Sequence, residues 1–154
     1  MKEKSILEFF LKNEIKVKEL YELYAAKFSE QRKLWECLIK KESEHIKLLN
    51  ELIGKIGRSN EFFDLNEYSL QVMERICDFI NKEFAKTESG NVTLIAALEA
   101  ALRLERSMIE KKCFEMFRPE HKEIEKVFYK LNSDTDGHAR TLEKAYKKEI
   151  NKLV

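Results

Sequence analysis

Three glutamates interrupt apolar stripes that repeat at helical spacing along this chain. The first stripe reads Phe10, Glu14, Val17, Tyr21, Tyr24, Phe28, and the second Trp35, Leu38, Glu42, His45, Leu49, Leu52, Ile56. A third reads Ile95, Leu98, Leu102, Glu105, Ile109, Met116, and a fourth Ile124, Phe128, Leu131, Thr135, His138, Leu142, Ala145. Residues three and four apart share a helix face, so each stripe is the buried side of an amphipathic helix. An unpartnered buried carboxylate costs several kcal/mol or takes up a proton. Three of them in one core need something that compensates them.

The stripes predict helices over about Lys4–Phe28, Glu30–Ile56 and Val92–Phe117, and a fourth with Pro119 in its first turn. Gly57 is the expected C-cap of the second. Asp64 and Glu67 have capping-box spacing and open a shorter amphipathic helix that runs to about Lys86, before Ser89-Gly90-Asn91 breaks it. The Asn132–Gly137 run forms helix poorly and allows a kink or local unwinding. With only 4 glycines and 1 proline, and 37% charged residues, the composition suits long helices and not a turn-rich sandwich. The first two helices are joined by almost nothing, as are the last two, so each pair is an antiparallel hairpin. The link between the pairs is long enough to run the length of a bundle. The expected fold is therefore all-α: an up-down four-helix bundle in one domain, residues 1–154, with one long crossover containing an extra short helix. The second and third long helices should then run parallel.

The two halves repeat a pattern. Glu14 is followed 28 residues later by Glu42-Ser43-Glu44-His45, and Glu105 is followed 30 residues later by Thr135-Asp136-Gly137-His138. Counted from the hairpin turns at about 1.5 Å per residue, nearly all of these polar residues fall about 20–30 Å away, at one level. A single Glu-x-x-His on a charged helix carries little information. Its recurrence at matched spacing and height points to a metal site. Bundles that aim one Glu from each of two helices and a Glu-x-x-His from each of the other two into the core hold two iron or manganese ions. Carboxylate oxygens and imidazole nitrogens suit such ions. The second copy has Thr135 where the fourth carboxylate would stand. Tyr21, two turns from Glu14, is placed to hydrogen-bond a ligand, or equally to be a core tyrosine satisfied elsewhere.

A net charge of +1 gives no reason to expect nucleic acid or acidic lipid as a partner. The Lys144–Lys152 tail mixes lysines with Glu and apolar residues and reads as a solvated helix face. Cys37, Cys77 and Cys113 are far apart and form no Cys-x-x-Cys; buried free thiols in a reducing cytoplasm are the expectation. Met1–Asn13 lacks the unbroken apolar run of a signal peptide, and no stretch approaches a membrane span. The expected partners are metal ions, with neither nucleic acid nor membrane, and a homodimer is compatible with this reading.

The chain resembles the rubrerythrin/ferritin-like di-iron carboxylate superfamily over nearly its whole length. The matching segments are Glu14 to Tyr21 with Tyr24-Ala25-Ala26, then Trp35 through Glu42-x-x-His45, then Ala96-Ala97-Leu98-Glu99-Ala100-Ala101-Leu102-Arg103-Leu104-Glu105. The resemblance implies Glu14, Glu42, His45, Glu105 and His138 as metal ligands, and one to two ions of iron or manganese per chain. It implies an oxidoreductase acting on peroxide, oxygen or ferrous iron. Three departures stand against a full site. Thr135 replaces a Glu, no Cys-x-x-Cys pairs follow the bundle, and Met108 stands where rubrerythrins carry an extra carboxylate. Asp134 is the expected substitute ligand, if it swings in by about 100° around its helix. On this reading the site is unequal, with any tightly held ion nearer Glu42 and His45 and with Glu105 bridging toward it.

Two other readings stay open. A non-catalytic bundle, structural or interacting, would need only a packed core with one ion or none. Separately, Asn132-x-Asp134-x-Asp136-Gly137 with Glu143 nearly matches a calcium-binding EF-hand loop over 132–143, although position one is Asn and no partner loop exists.

Overall fold

A computed structural model describes residues 5–64, 67–110 and 121–154, apart from the side chains of residues 68, 69 and 108–110. Five α-helices run through these residues, with no strand among them: α1 Ile6–Lys27, α2 Arg32–Ile56, α3 Glu67–Glu88, α4 Leu94–Glu110 and α5 Lys122–Asn151. None is long and apolar enough to cross a membrane.

Local chemistry sets the ends of the helices. Ser5 caps α1, its hydroxyl accepting the Glu8 amide at 3.4 Å. Gly57 closes α2 at φ 78°, the left-handed conformation that glycine adopts without a Cβ penalty. His121 caps α5, its Nδ1 accepting the Glu123 amide at 3.2 Å. Pro119, the last turns expected of the third long helix, and Cys113 lie outside the described residues, as do residues 65 and 66 of the capping box expected after Asp64.

Contacts between helix ends fix the topology. At one end of the bundle, Asn60 Oδ1 accepts the Ile6 amide at 2.9 Å and the Phe62 ring meets His121 at 4.9 Å. At the other end, Lys27 Nζ donates to the Thr87 carbonyl at 3.5 Å and Gln31 Nε2 to Glu149 Oε1 at 3.3 Å. So α1, α3 and α5 run one way, and α2 and α4 run the other. The expected parallel pair and the single long crossover are both present. The crossover helix α3 is 22 residues long, as long as α1, and packs on α1 and α4. The hairpin pairs α1–α2 and α4–α5 meet along the α2–α5 seam.

The core has two apolar ends around a polar layer. Phe10, Phe63 and Phe128 cluster at the Asn60 end, with Phe10 and Phe128 edge-to-face at 5.0 Å. Tyr21, Tyr24 and Trp35 cluster toward the Gln31 end, with Tyr24 and Trp35 4.9 Å apart.

Two expectations fail here. α5 is one helix of 30 residues, so neither local unwinding nor an EF-hand loop occupies 132–143. Glycine at 137 costs about 1 kcal/mol of helix propensity. Burial of Leu131, Thr135, His138 and Leu142 on one face outweighs it. In a helix, residues 132, 134 and 136 diverge by about 200° per step of two and cannot encircle an ion. Asp136 instead pairs with Arg140 on the surface at 3.3 Å. The two described thiols are not buried either: Cys37 is exposed on α2, and Cys77 is partly exposed.

Candidate metal centre

The polar layer is contributed by α1, α2, α4 and α5. Glu14 comes from α1, Glu42 and His45 from α2, Glu105 from α4, and Thr135 and His138 from α5, all buried. Helical spacing of three sets Glu42 beside His45, with Oε2 3.4 Å from Nδ1. Glu14 Oε2 approaches the same Nδ1 at 3.5 Å. Across the layer, His138 Nδ1 lies 3.5 Å from Glu42 Oε1 and 3.6 Å from Glu105 Oε1. The two imidazoles stack with centroids 5.9 Å apart.

Two groups of donors result, Glu14–Glu42–His45 and Glu42–Glu105–His138, each with all ligand atoms within 4.8 Å of one another. Glu42 belongs to both and turns one oxygen to each. The shared carboxylate is thus Glu42, where Glu105 was expected. Five of the six residues singled out in sequence as ligands fall in these groups.

Asp134 does not. The unbroken helix keeps it on its own face of α5, where its Oδ2 accepts the His45 Nε2 proton at 2.8 Å and Lys130 Nζ at 3.1 Å. A carboxylate can only accept, so this contact assigns the proton to Nε2 and turns Nδ1 to the glutamates. Thr135 offers no substitute, since its hydroxyl donates to the Leu131 carbonyl at 2.8 Å. Tyr21 donates to Glu105 Oε1 at 2.6 Å, so it does hold a carboxylate of the layer, on the opposite helix pair from its own. Lys130 was missed in sequence, although its spacing of four from Asp134 is the signal for a helical ion pair.

Electrostatics describe the layer without an ion. Burial, reinforced by the neighbouring charge of Glu14, raises the Glu42 carboxyl well above its ordinary range. For Glu14 burial pushes the same way, but the close approach of Glu42 and His45 outweighs it and lowers the carboxyl. The two carboxyls are thus pushed apart, Glu14 toward its charged form and Glu42 toward its neutral one. Burial alone would lower His45; its contacts with Glu14 and Glu42 raise it to about 11. Burial and then the Glu105 charge raise the Tyr21 phenol well above its ordinary value, so it stays a donor. Asp134 is lowered despite its partial burial, because His45 and Lys130 both hydrogen-bond it.

A layer that gathers protons in this way is one a cation can replace them in. Glu42 Oε2 and both ring nitrogens of His138 are buried and make no hydrogen bond, which is rare for polar atoms in a core. Bound cations would satisfy them, and the mixed carboxylate–imidazole donor set fits iron or manganese.

The family model described as Rubrerythrin matches residues 5–146. No curated protein and no solved structure matches the chain. The match covers most of the chain, including every residue of both donor groups, and the all-α bundle agrees with it. The chain belongs to the rubrerythrin family, within the ferritin-like di-iron carboxylate superfamily.

Proposed function

We propose that this protein binds iron, or manganese, in an unequal two-lobed centre and uses it as an oxidoreductase toward peroxide, oxygen or ferrous iron. The observation that carries this reading is the Glu42 carboxylate, with one oxygen 3.4 Å from His45 and the other 3.5 Å from His138. Glu14, Glu42 and His45 hold the tighter ion; Glu42, Glu105 and His138 hold the weaker one. Charge limits how much metal the layer holds and does not choose between the lobes, each of which has two glutamates and one histidine. Three carboxylates bring three negative charges, against four positive charges on two divalent ions and two on one. One ion is fully compensated and the second is not. When bound, iron supplies the electrons for reducing peroxide or oxygen. The protein's own contribution is placement. Tyr21 fixes Glu105, Asp134 faces His45 from behind, and the apolar clusters at both ends exclude water from the layer. The free thiols Cys37 and Cys77 suit a reducing compartment such as the cytoplasm.

A second reading, a non-catalytic bundle with a single structural ion, is favoured by one observation. Thr135 turns its hydroxyl to the Leu131 carbonyl, so the fourth carboxylate position has no donor. Metal analysis after anaerobic loading, followed by stopped-flow mixing with peroxide or oxygen, separates the two. The proposed function requires one to two ions per chain and oxidation faster than that of free ferrous iron. Bound iron that oxidises no faster leaves the structural reading. No bound metal ends the proposed function and leaves a non-catalytic bundle whose site has been lost.

A further inference from the structure

We propose that Asp134 is a positioning residue for His45, holding Nδ1 of that imidazole toward the Glu14–Glu42 lobe so that this lobe takes up metal first. The inference rests on the reading that the two lobes bind metal. An imidazole ligand offers its lone pair from one nitrogen and must carry its proton on the other. A carboxylate behind it fixes the tautomer, sets the ring plane and raises the basicity of the ligating nitrogen. Asp134 Oδ2 stands 2.8 Å from His45 Nε2, while Nδ1 faces Glu42 Oε2 at 3.4 Å and Glu14 Oε2 at 3.5 Å. His138 has no such support: both its ring nitrogens lack a hydrogen bond. One histidine is therefore pre-arranged and the other must be arranged by the ion it binds.

The position of Asp134 in its helix explains how it reaches. Thr135 points into the layer, so its neighbour points about 100° away, into the α2–α5 seam where His45 lies. The charge missing at Thr135 is thus partly restored one residue earlier, behind the ligand and not at the ion. Lys130, one turn before, takes the outer side of the same carboxylate oxygen and is half exposed. This is a half-exposed ion pair that does not enter the layer and contributes little to the placement of Asp134.

The test uses Co(II) as an absorbing probe and Zn(II) as a diamagnetic one on the full chain. Asp134→Ala weakens binding of the first Co(II) equivalent by about 10–100-fold, the usual loss for such a partner. Asp134→Asn keeps an oxygen that accepts from Nε2–H and loses less. Lys130→Met leaves first-equivalent affinity within a few-fold of the parent. Long-range ¹H–¹⁵N correlation spectra of the Zn(II)-loaded parent place the His45 proton on Nε2 and zinc on Nδ1. Unchanged affinity in Asp134→Ala overturns the inference, as do zinc on Nε2 and a loss in Lys130→Met equal to that in Asp134→Ala. A loss in Asp134→Asn as large as in Asp134→Ala also overturns it, because that marks Asp134 as a ligand. In all of these the parent still binds metal and the proposed function stands. A parent that binds no Co(II), or a Glu42→Ala variant that binds it as the parent does, removes the proposed function as well.

Discussion

The Tyr21 hydroxyl donates to Glu105 Oε1 at 2.6 Å, joining residues 84 apart in sequence across the buried centre. Both partners are almost fully buried. Tyr21→Phe removes the donor and leaves a desolvated carboxylate oxygen unpaired, at a cost of about 1–3 kcal/mol. Urea unfolding should show that loss in the metal-free protein. In Mn(II)-loaded protein the loss is smaller, because the cation compensates Glu105 directly.

Single substitutions should divide the centre by lobe. Glu42→Ala is expected to abolish binding at both, since both donor groups include it. His138→Ala removes only the weaker ion, and stoichiometry by elemental analysis falls to one per chain at most. His45→Ala removes the tighter ion and leaves weak binding at Glu105 and His138. Equal losses in His45→Ala and His138→Ala would contradict the inequality of the lobes.

Thr135→Glu places a fourth carboxylate on the buried face of α5, and Glu is a better helix former than Thr. Iron stoichiometry should rise toward two per chain. In metal-free protein the same substitution adds a buried acid to the layer and lowers thermal stability. A variant that binds no more metal than the parent means that Thr135 is not the cause of any deficit.

Metal uptake should release protons and strengthen with pH. His45 is raised from 6.5 to about 11, so at neutral pH an entering ion displaces a proton from it, and Glu42 is raised above its ordinary value. Calorimetry in buffers of different ionisation enthalpy should detect at least about one proton released per first ion. The same shifts set the stability of the metal-free protein. His45 stabilises the fold fully below 6.5, and that contribution is lost as pH rises through about 11. Glu42 acts in the same direction. The melting temperature of metal-free protein should therefore fall between pH 7 and 10 more steeply than that of the loaded protein.

The helical period made the bundle legible from the stripes, because it depends only on which residues are apolar. The five residues of the two donor groups were legible for a related reason: a polar residue in mid-stripe has nowhere to go but the core. What lies across helices was not. Nothing in the spacing says that Glu42 and not Glu105 is shared, or that Tyr21 crosses to Glu105, because those contacts depend on how the pairs dock. The Asn132–Gly137 run was misleading in a different way. Its weak propensity is local, while the buried face that includes Leu131 and His138 is tertiary, and the tertiary term is larger. Asp134 shows both effects, since the intact helix holds it outside the layer and the docking of α2 on α5 gives it His45.

The long crossover gives the centre a sheltered side and a side toward water. α3 lies over α1 and α4, so Glu14 and Glu105 are backed by a second layer of protein. The α2–α5 seam has no such cover among the described helices. Along it side-chain exposure drops from 46% at Lys130 to 19% at Asp134 and 1% at His45. On this side a chain of hydrogen bonds, His45 to Asp134 to Lys130, links the buried layer to the surface. Traffic of charge with the outside should be one-sided, and damage to that seam should disturb it far more than damage of equal size on the α3 side.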